Sequence, residues 1–130
     1  MNQILVIEDE ADMAATYDRL LRRAGHRVVT ADSRAAGLQL LKSVQPRLVI
    51  ADLRLPDGDG LDIVRAAGTL HPPAPVIVIT AFASRAAREA ALKSGARAFL
   101  AKPFGIAEFS SLVEDLIEHR RPERPVQEGT

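Results

Sequence analysis

Five side chains of this 130-residue sequence stand where short apolar runs end. Glu8 and Asp9 follow QILVI, Asp52 closes LVIAD, Thr80 closes PVIVIT, and Lys102 follows AFLA. Carboxylates held close together oppose each other's ionisation, and desolvation at a strand end adds to the cost, so a cation among them would relieve both. Hard oxygen ligands such as Glu8, Asp9 and Asp52 suit Mg²⁺, which takes about six oxygens at ~2.1 Å and keeps several waters. A carboxylate beside that ion stays ionised and can attack phosphorus. Phosphoryl transfer then needs in-line positioning and neutralisation of the equatorial oxygens. The metal would serve one oxygen, Lys102 a second, and the Thr80 hydroxyl with nearby backbone N–H groups a third.

Such convergence requires elements that bring five separated positions to one rim. Five apolar runs, QILVI (3–7), RVVTA (27–31), LVIAD (48–52), PVIVIT (75–80) and AFLA (98–101), alternate with five helix-like stretches. The first, third and fourth runs are apolar at consecutive positions and rich in β-branched residues, as strands covered on both faces are. RVVTA is more mixed and suits a sheet edge. In ADMAATYDRLLRRAG, Met13, Tyr17, Leu20, Leu21 and Ala24 recur at helical spacing, with Gly25 as the stop. Ser33 and Ser84 are N-cap candidates, Pro46 and Gly95 end the second and fourth helices, and GLDIVRAAGTLHPPAP breaks at its prolines. The last helix carries one stripe, Ile106, Phe109, Leu112, Val113, Leu116 and Ile117. Strands alternating with helices in this way predict an α/β, doubly wound parallel sheet with helices on both faces. In such sheets ligands bind beyond the carboxyl ends of the strands, where the five side chains fall. Residues 1–120 read as one domain, and RPERPVQEGT, polar and aperiodic, reads as a linker or tail over 121–130.

Composition narrows the classes of function. Seventeen basic residues balance seventeen acidic ones, which gives no support for direct nucleic-acid binding or a polybasic membrane surface. The absence of cysteine excludes disulfides and thiolate metal sites. No basic–apolar–small signal pattern opens the chain, and no run approaches the ~18 apolar residues that span a bilayer, so the expected location is the cytoplasm.

The motifs VIEDE, ADLRLPDGDG, VIVITAFA and FLAKPF, in this order and at these strand ends, resemble the receiver domain of two-component response regulators. The resemblance covers roughly residues 3–120 and implies a flavodoxin-like (βα)5 sandwich, its five parallel strands in the order 2-1-3-4-5. It implies that Asp52 is the phosphoacceptor, taking a phosphoryl group from a phosphohistidine on a sensor histidine kinase or phosphotransfer protein. Glu8 and Asp9 match the acidic metal pair, with Asp52 and the backbone carbonyl of Arg54 completing the protein ligands to Mg²⁺. Lys102 matches the family lysine and precedes Pro103 in an expected cis peptide. Thr80 and Phe99 match the switch pair, while Arg54 and Phe82, each two residues beyond a site residue, match positions that tune dephosphorylation. A homodimer through the fourth helix, fifth strand and fifth helix is implied as well. Two departures stand out: Glu8 where Asp is commoner, and Phe99 where Tyr is. The resemblance describes a signalling phosphoacceptor that catalyses only its own phosphorylation and dephosphorylation.

Blander readings apply to other polar residues. Glu10 is expected only to complement the dipole of the first helix. Asp57 and Asp59 are expected as turn and cap residues, because Asp and Gly favour those conformations, and no bidentate Glu follows at calcium-loop distance. His26, His71 and His119 lack metal-ligand spacing and are expected to be solvated. A phosphatase of the haloacid-dehalogenase kind needs an acid two residues after its nucleophile, where this chain has Arg54. A phosphorylation-independent protein–protein module on the same fold is the third reading.

Overall fold

The computed structural model describes residues 3–119, without the side chain of His119. The expected tail at 121–130 and the domain end at 120 lie outside the described residues. The elements run β1 (Gln3–Ile7), α1 (Ala11–Arg23), β2 (Arg27–Ala31), α2 (Arg34–Val44), β3 (Leu48–Ala51), β4 (Arg54–Leu55), β5 (Gly58–Asp59), α3 (Leu61–Gly68), β6 (Val76–Thr80), α4 (Arg85–Lys93), β7 (Ala98–Ala101) and α5 (Ile106–His119).

Five strands make one sheet in the order β2-β1-β3-β6-β7, which is 2-1-3-4-5 when only its own strands are counted. All of its pairings are parallel. β4 and β5 form a separate antiparallel hairpin, within a stretch whose composition announced only turns. RVVTA does take the edge.

Alternation along the central strands divides the interior into two cores. Leu5, Ile7, Val49, Ala51, Val76 and Val78 pack with Leu41 of α2, Ile63, Val64 and Ala67 of α3, and Ala91 of α4. Ile4, Val6, Leu48, Ile50, Ile77 and Ile79 pack with Tyr17 and Leu21 of α1 and with Phe109, Val113, Leu116 and Ile117 of α5. This is why the first, third and fourth runs are apolar throughout: neither face of these strands meets water. Each fully buried Leu or Ile contributes about 1.5–3 kcal/mol relative to exposure.

Local signals close the helices as their chemistry predicts. Ser33 Oγ accepts from Ala36 N at 3.1 Å and Ser84 Oγ from Ala87 N at 3.0 Å. Gly25 and Gly95 follow α1 and α4 with φ of 95° and 117°, a region where a side chain would be strained. Gly60 is required for space instead. Its φ of −66° suits any residue, but a Cβ would run into the Asp52 carbonyl and Leu53 Cα.

Two expectations are corrected. Ile106 is 61% exposed, because the stripe of α5 enters the core only from Phe109 onward. His26 is not freely solvated: its ring is mostly covered, and Nε2 lies 2.7 Å from Glu114 Oε2, which joins the α1–β2 turn to α5.

Candidate functional site

Parallel pairing delivers the polar strand ends to one rim. β1 lies between β2 and β3, β3 pairs with β6, and β6 with β7, so Glu8, Asp52, Thr80 and Lys102 end neighbouring strands in space. All of β1 and β3 except Gln3 is buried, which carries Glu8 and Asp52 inward with them: they are 3% and 6% exposed. Thr80 is fully buried. Their backbones are tied by Asp52 N donating to Ile7 O and Lys102 N donating to Thr80 O, at 3.2 and 3.0 Å.

Lys102 occupies the centre. Its Nζ donates to Glu8 Oε1 and to Asp52 Oδ2, both at 2.9 Å, and reaches Glu10 Oε1 at 3.4 Å. Glu10 is therefore more than a helix-start acid, since its exposed carboxylate also leans on the site ammonium. The Lys102–Pro103 peptide is cis. Asp52 Oδ1 accepts from Arg54 N at 3.2 Å, and Glu8 Oε2 accepts from Glu10 N at the same distance.

Burial pushes the Glu8 carboxyl above the usual carboxylate range, against the pull of Lys102. For Lys102, burial alone would lower the pKa, but hydrogen bonds to Glu8 and Asp52 and their charges reverse this and hold it above the usual lysine range. Two buried carboxylates share one buried ammonium, so the rim lacks one positive charge.

Asp9 is exposed. Among the described residues no three acidic or histidine side chains are gathered as a metal cage. Lys102 stands between the two buried acids instead. The donor set nevertheless fits Mg²⁺, which is commonly held by one or two carboxylates with waters and phosphate oxygens.

Thr80 Oγ1 accepts from Phe82 N at 3.1 Å. Phe99 is half-buried and packs on the core beneath α2, α3 and α4. It lies opposite Val78 in the β6–β7 register, two residues before Thr80 on the same face. Arg54 and Phe82 meet directly: the guanidinium carbon lies 3.9 Å from the ring centroid. Spacing showed that both follow site residues but gave no sign of this contact.

Asp57 does more than shape its turn. Its two oxygens accept from Arg34 N and Ala35 N at 2.7 and 2.9 Å, capping α2 from the hairpin. These bonds hold its carboxyl below the usual range. Asp59 caps locally, accepting from Leu61 N at 2.9 Å. Behind the site, Tyr17 stacks with Phe104 and meets Phe109 at a tilt, and its buried hydroxyl has no hydrogen-bond partner among the described residues.

Comparison with known proteins agrees with this fold. The family model described as "Response regulator receiver domain" matches residues 4–114. The transcriptional regulatory protein PrrA of Mycobacterium tuberculosis is 34% identical over 118 residues, 91% of this chain and 51% of that protein. The chain thus spans about half of that relative's length. The non-phosphorylated HemR receiver domain from Leptospira biflexa superposes with a TM-score of 0.85 at 31% identity, covering 95% of this chain and 99% of that one. The beryllofluoride-activated NtrC4 receiver domain dimer gives 0.85 at 28%, covering 93% and 100%. With its sheet order, its acid–lysine rim and a family match over most of its length, this chain belongs to the response regulator receiver domains.

Proposed function

We propose that Asp52 accepts a phosphoryl group from a phosphohistidine on a sensor histidine kinase or phosphotransfer protein, and that the acyl phosphate switches the conformation of the domain. A carboxylate oxygen of Asp52 attacks phosphorus, the P–N bond breaks, and its electron pair returns to the imidazole of the donor. Lys102 is already hydrogen-bonded to Asp52 and is placed to neutralise a phosphoryl oxygen. Thr80 supplies a hydroxyl from the neighbouring strand, and its movement toward the phosphoryl group would let the Phe99 ring turn inward. Glu8, Asp9, Asp52 and the backbone carbonyl of Arg54 are the groups that would hold Mg²⁺, which when bound supplies positive charge to the phosphoryl oxygens. Phosphoryl contacts then bias a two-state equilibrium of β6, α4 and β7.

The observation that carries this reading is Lys102 Nζ at 2.9 Å from both Glu8 and Asp52, which sets an ammonium against the acceptor carboxylate at a buried rim. A switch located in the cytoplasm, with homodimerisation through α4, β7 and α5, extends the same reading. The dimeric NtrC4 receiver supports the dimer by likeness, and no described helix is long and apolar enough to cross a membrane. The test is incubation with acetyl phosphate and Mg²⁺ followed by intact-protein mass measurement. One phosphoryl group is expected on the parent and none on Asp52→Ala. Equal modification of both proteins would refute the acceptor assignment.

A further inference from the structure

The contact between Arg54 and Phe82 joins the start of β4 to the β6–α4 loop, two segments that each orient a group of the site. Arg54 N–H donates to Asp52 Oδ1 and Phe82 N–H donates to Thr80 Oγ1, while the two side chains stack on each other outside. Among the described residues no carboxylate pairs with the Arg54 guanidinium; it lies over the face of an aromatic ring that remains 50% exposed. Phe82 also borders an open cavity of about 790 Å³ lined by Leu53, Leu55, Ala87 and Ala90, between the β4–β5 hairpin and α4.

A cation over an exposed ring is held weakly. A phosphoryl group on Asp52, two residues away, would place about 1.5–2 negative charges and three strong acceptor oxygens near the same guanidinium. Charge-assisted hydrogen bonds are roughly twice as strong as neutral ones, and arginine matches phosphate in shape as well as charge. The competition therefore favours the phosphoryl group. We infer that Arg54 exchanges partners on phosphorylation, leaving the Phe82 ring for a phosphoryl oxygen and uncovering that ring at the mouth of the cavity. Arg54 thus acts as a phosphoryl-positioning side chain, and Phe82 is the aromatic surface its departure reveals. The exchange rests on the reading of Asp52 as acceptor.

Arginine side-chain NMR on the full chain, with beryllofluoride and Mg²⁺ as the phosphoryl mimic, tests it. In the unliganded protein the Arg54 Nε–Hε signal, identified by its loss in Arg54→Leu, is expected upfield through the ring current of Phe82. Phe82→Leu is expected to remove that upfield shift. On adding beryllofluoride the wild-type signal is expected to move downfield to the position of a hydrogen-bonded arginine. Because Phe82→Leu removes the competing ring, it is also expected to bind beryllofluoride about two- to fivefold more tightly, whereas Arg54→Leu binds it more weakly. Shifted Leu53 and Arg54 backbone amides with an unmoved Nε–Hε signal would overturn the exchange alone. Unmoved amides would bring down the acceptor assignment and the exchange with it.

Discussion

Lys102 and Asp52, fifty residues apart in the chain, meet at 2.9 Å as a nearly buried ion pair. Glu8 shares the same ammonium at the same distance, so the cluster holds more negative than positive charge. Removing either side should therefore have opposite consequences. Lys102→Ala strands two buried carboxylates and is expected to cost about 3 kcal/mol. Asp52→Asn removes a like charge beside Glu8 yet keeps a carbonyl for Lys102, and is expected to stabilise by about 1 kcal/mol. Urea denaturation of both variants at neutral pH measures the two signs, and a destabilised Asp52→Asn protein would count against this charge balance.

The raised pKa of Glu8 makes stability depend on pH in a defined direction. Between the ordinary value of 4.5 and its folded value, native Glu8 binds more proton than the unfolded chain does. Its contribution is fully present below that ordinary value and is lost as pH rises through the folded one. Lys102, also raised, adds no slope there, because its contribution is lost only as pH rises above its ordinary 10.5. Glu8→Gln is thus expected to gain stability relative to the parent as pH rises from the ordinary 4.5 through the raised folded value of Glu8. Parallel denaturation curves across that window measure the gain, and a constant difference between the proteins would contradict it.

Asp57 has the opposite sign. Its carboxyl is held below the ordinary 3.8 by the amides of Ala35 and Arg34, so its contribution exists above that value and disappears as pH falls through the folded one. Asp57→Ala, which leaves two N-terminal amides of α2 without this cap, is expected to melt at lower temperature at neutral pH. Thermal melts in acid should show the gap closing. A gap unchanged by acid would mean that the ionised cap is not its source.

Tyr17 carries a buried hydroxyl with no partner among the described residues, although its ring stacks with Phe104 5.9 Å away, centroid to centroid. Tyr17→Phe keeps the ring and deletes the unsatisfied group. It is expected to stabilise the domain by about 1 kcal/mol. Loss of stability in a denaturant titration would reveal a buried water bonded to that hydroxyl.

The elements were legible because their causes are short-range. Three fully apolar runs could only be strands covered on both faces, and Ser33 and Ser84 cap helices through residues three positions away. Gly25 and Gly95 end helices through backbone conformations of their own. Strand polarity then carried Glu8, Asp52, Thr80 and Lys102 to one rim. Ile106 misled because periodicity cannot tell where a helix first reaches the core, and its stripe begins before the packing does.

By itself, then, the sequence determined the doubly wound fold, the stops of α1, α2 and α4 and the set of polar residues at the strand ends, since propensity, periodicity and caps act within a few residues; α3 ends at Gly68, ahead of the prolines expected to break it. Tertiary structure alone decided which of those groups touch. It placed Lys102 between Glu8 and Asp52 and left Asp9 in solvent. It turned Asp57 toward α2, paired His26 with Glu114 and laid Arg54 on Phe82. Each of these contacts depends on loop path and side-chain rotamer. A shift of a few ångströms at either partner would break it, and no local pattern of residues encodes a distance between elements so far apart in the chain.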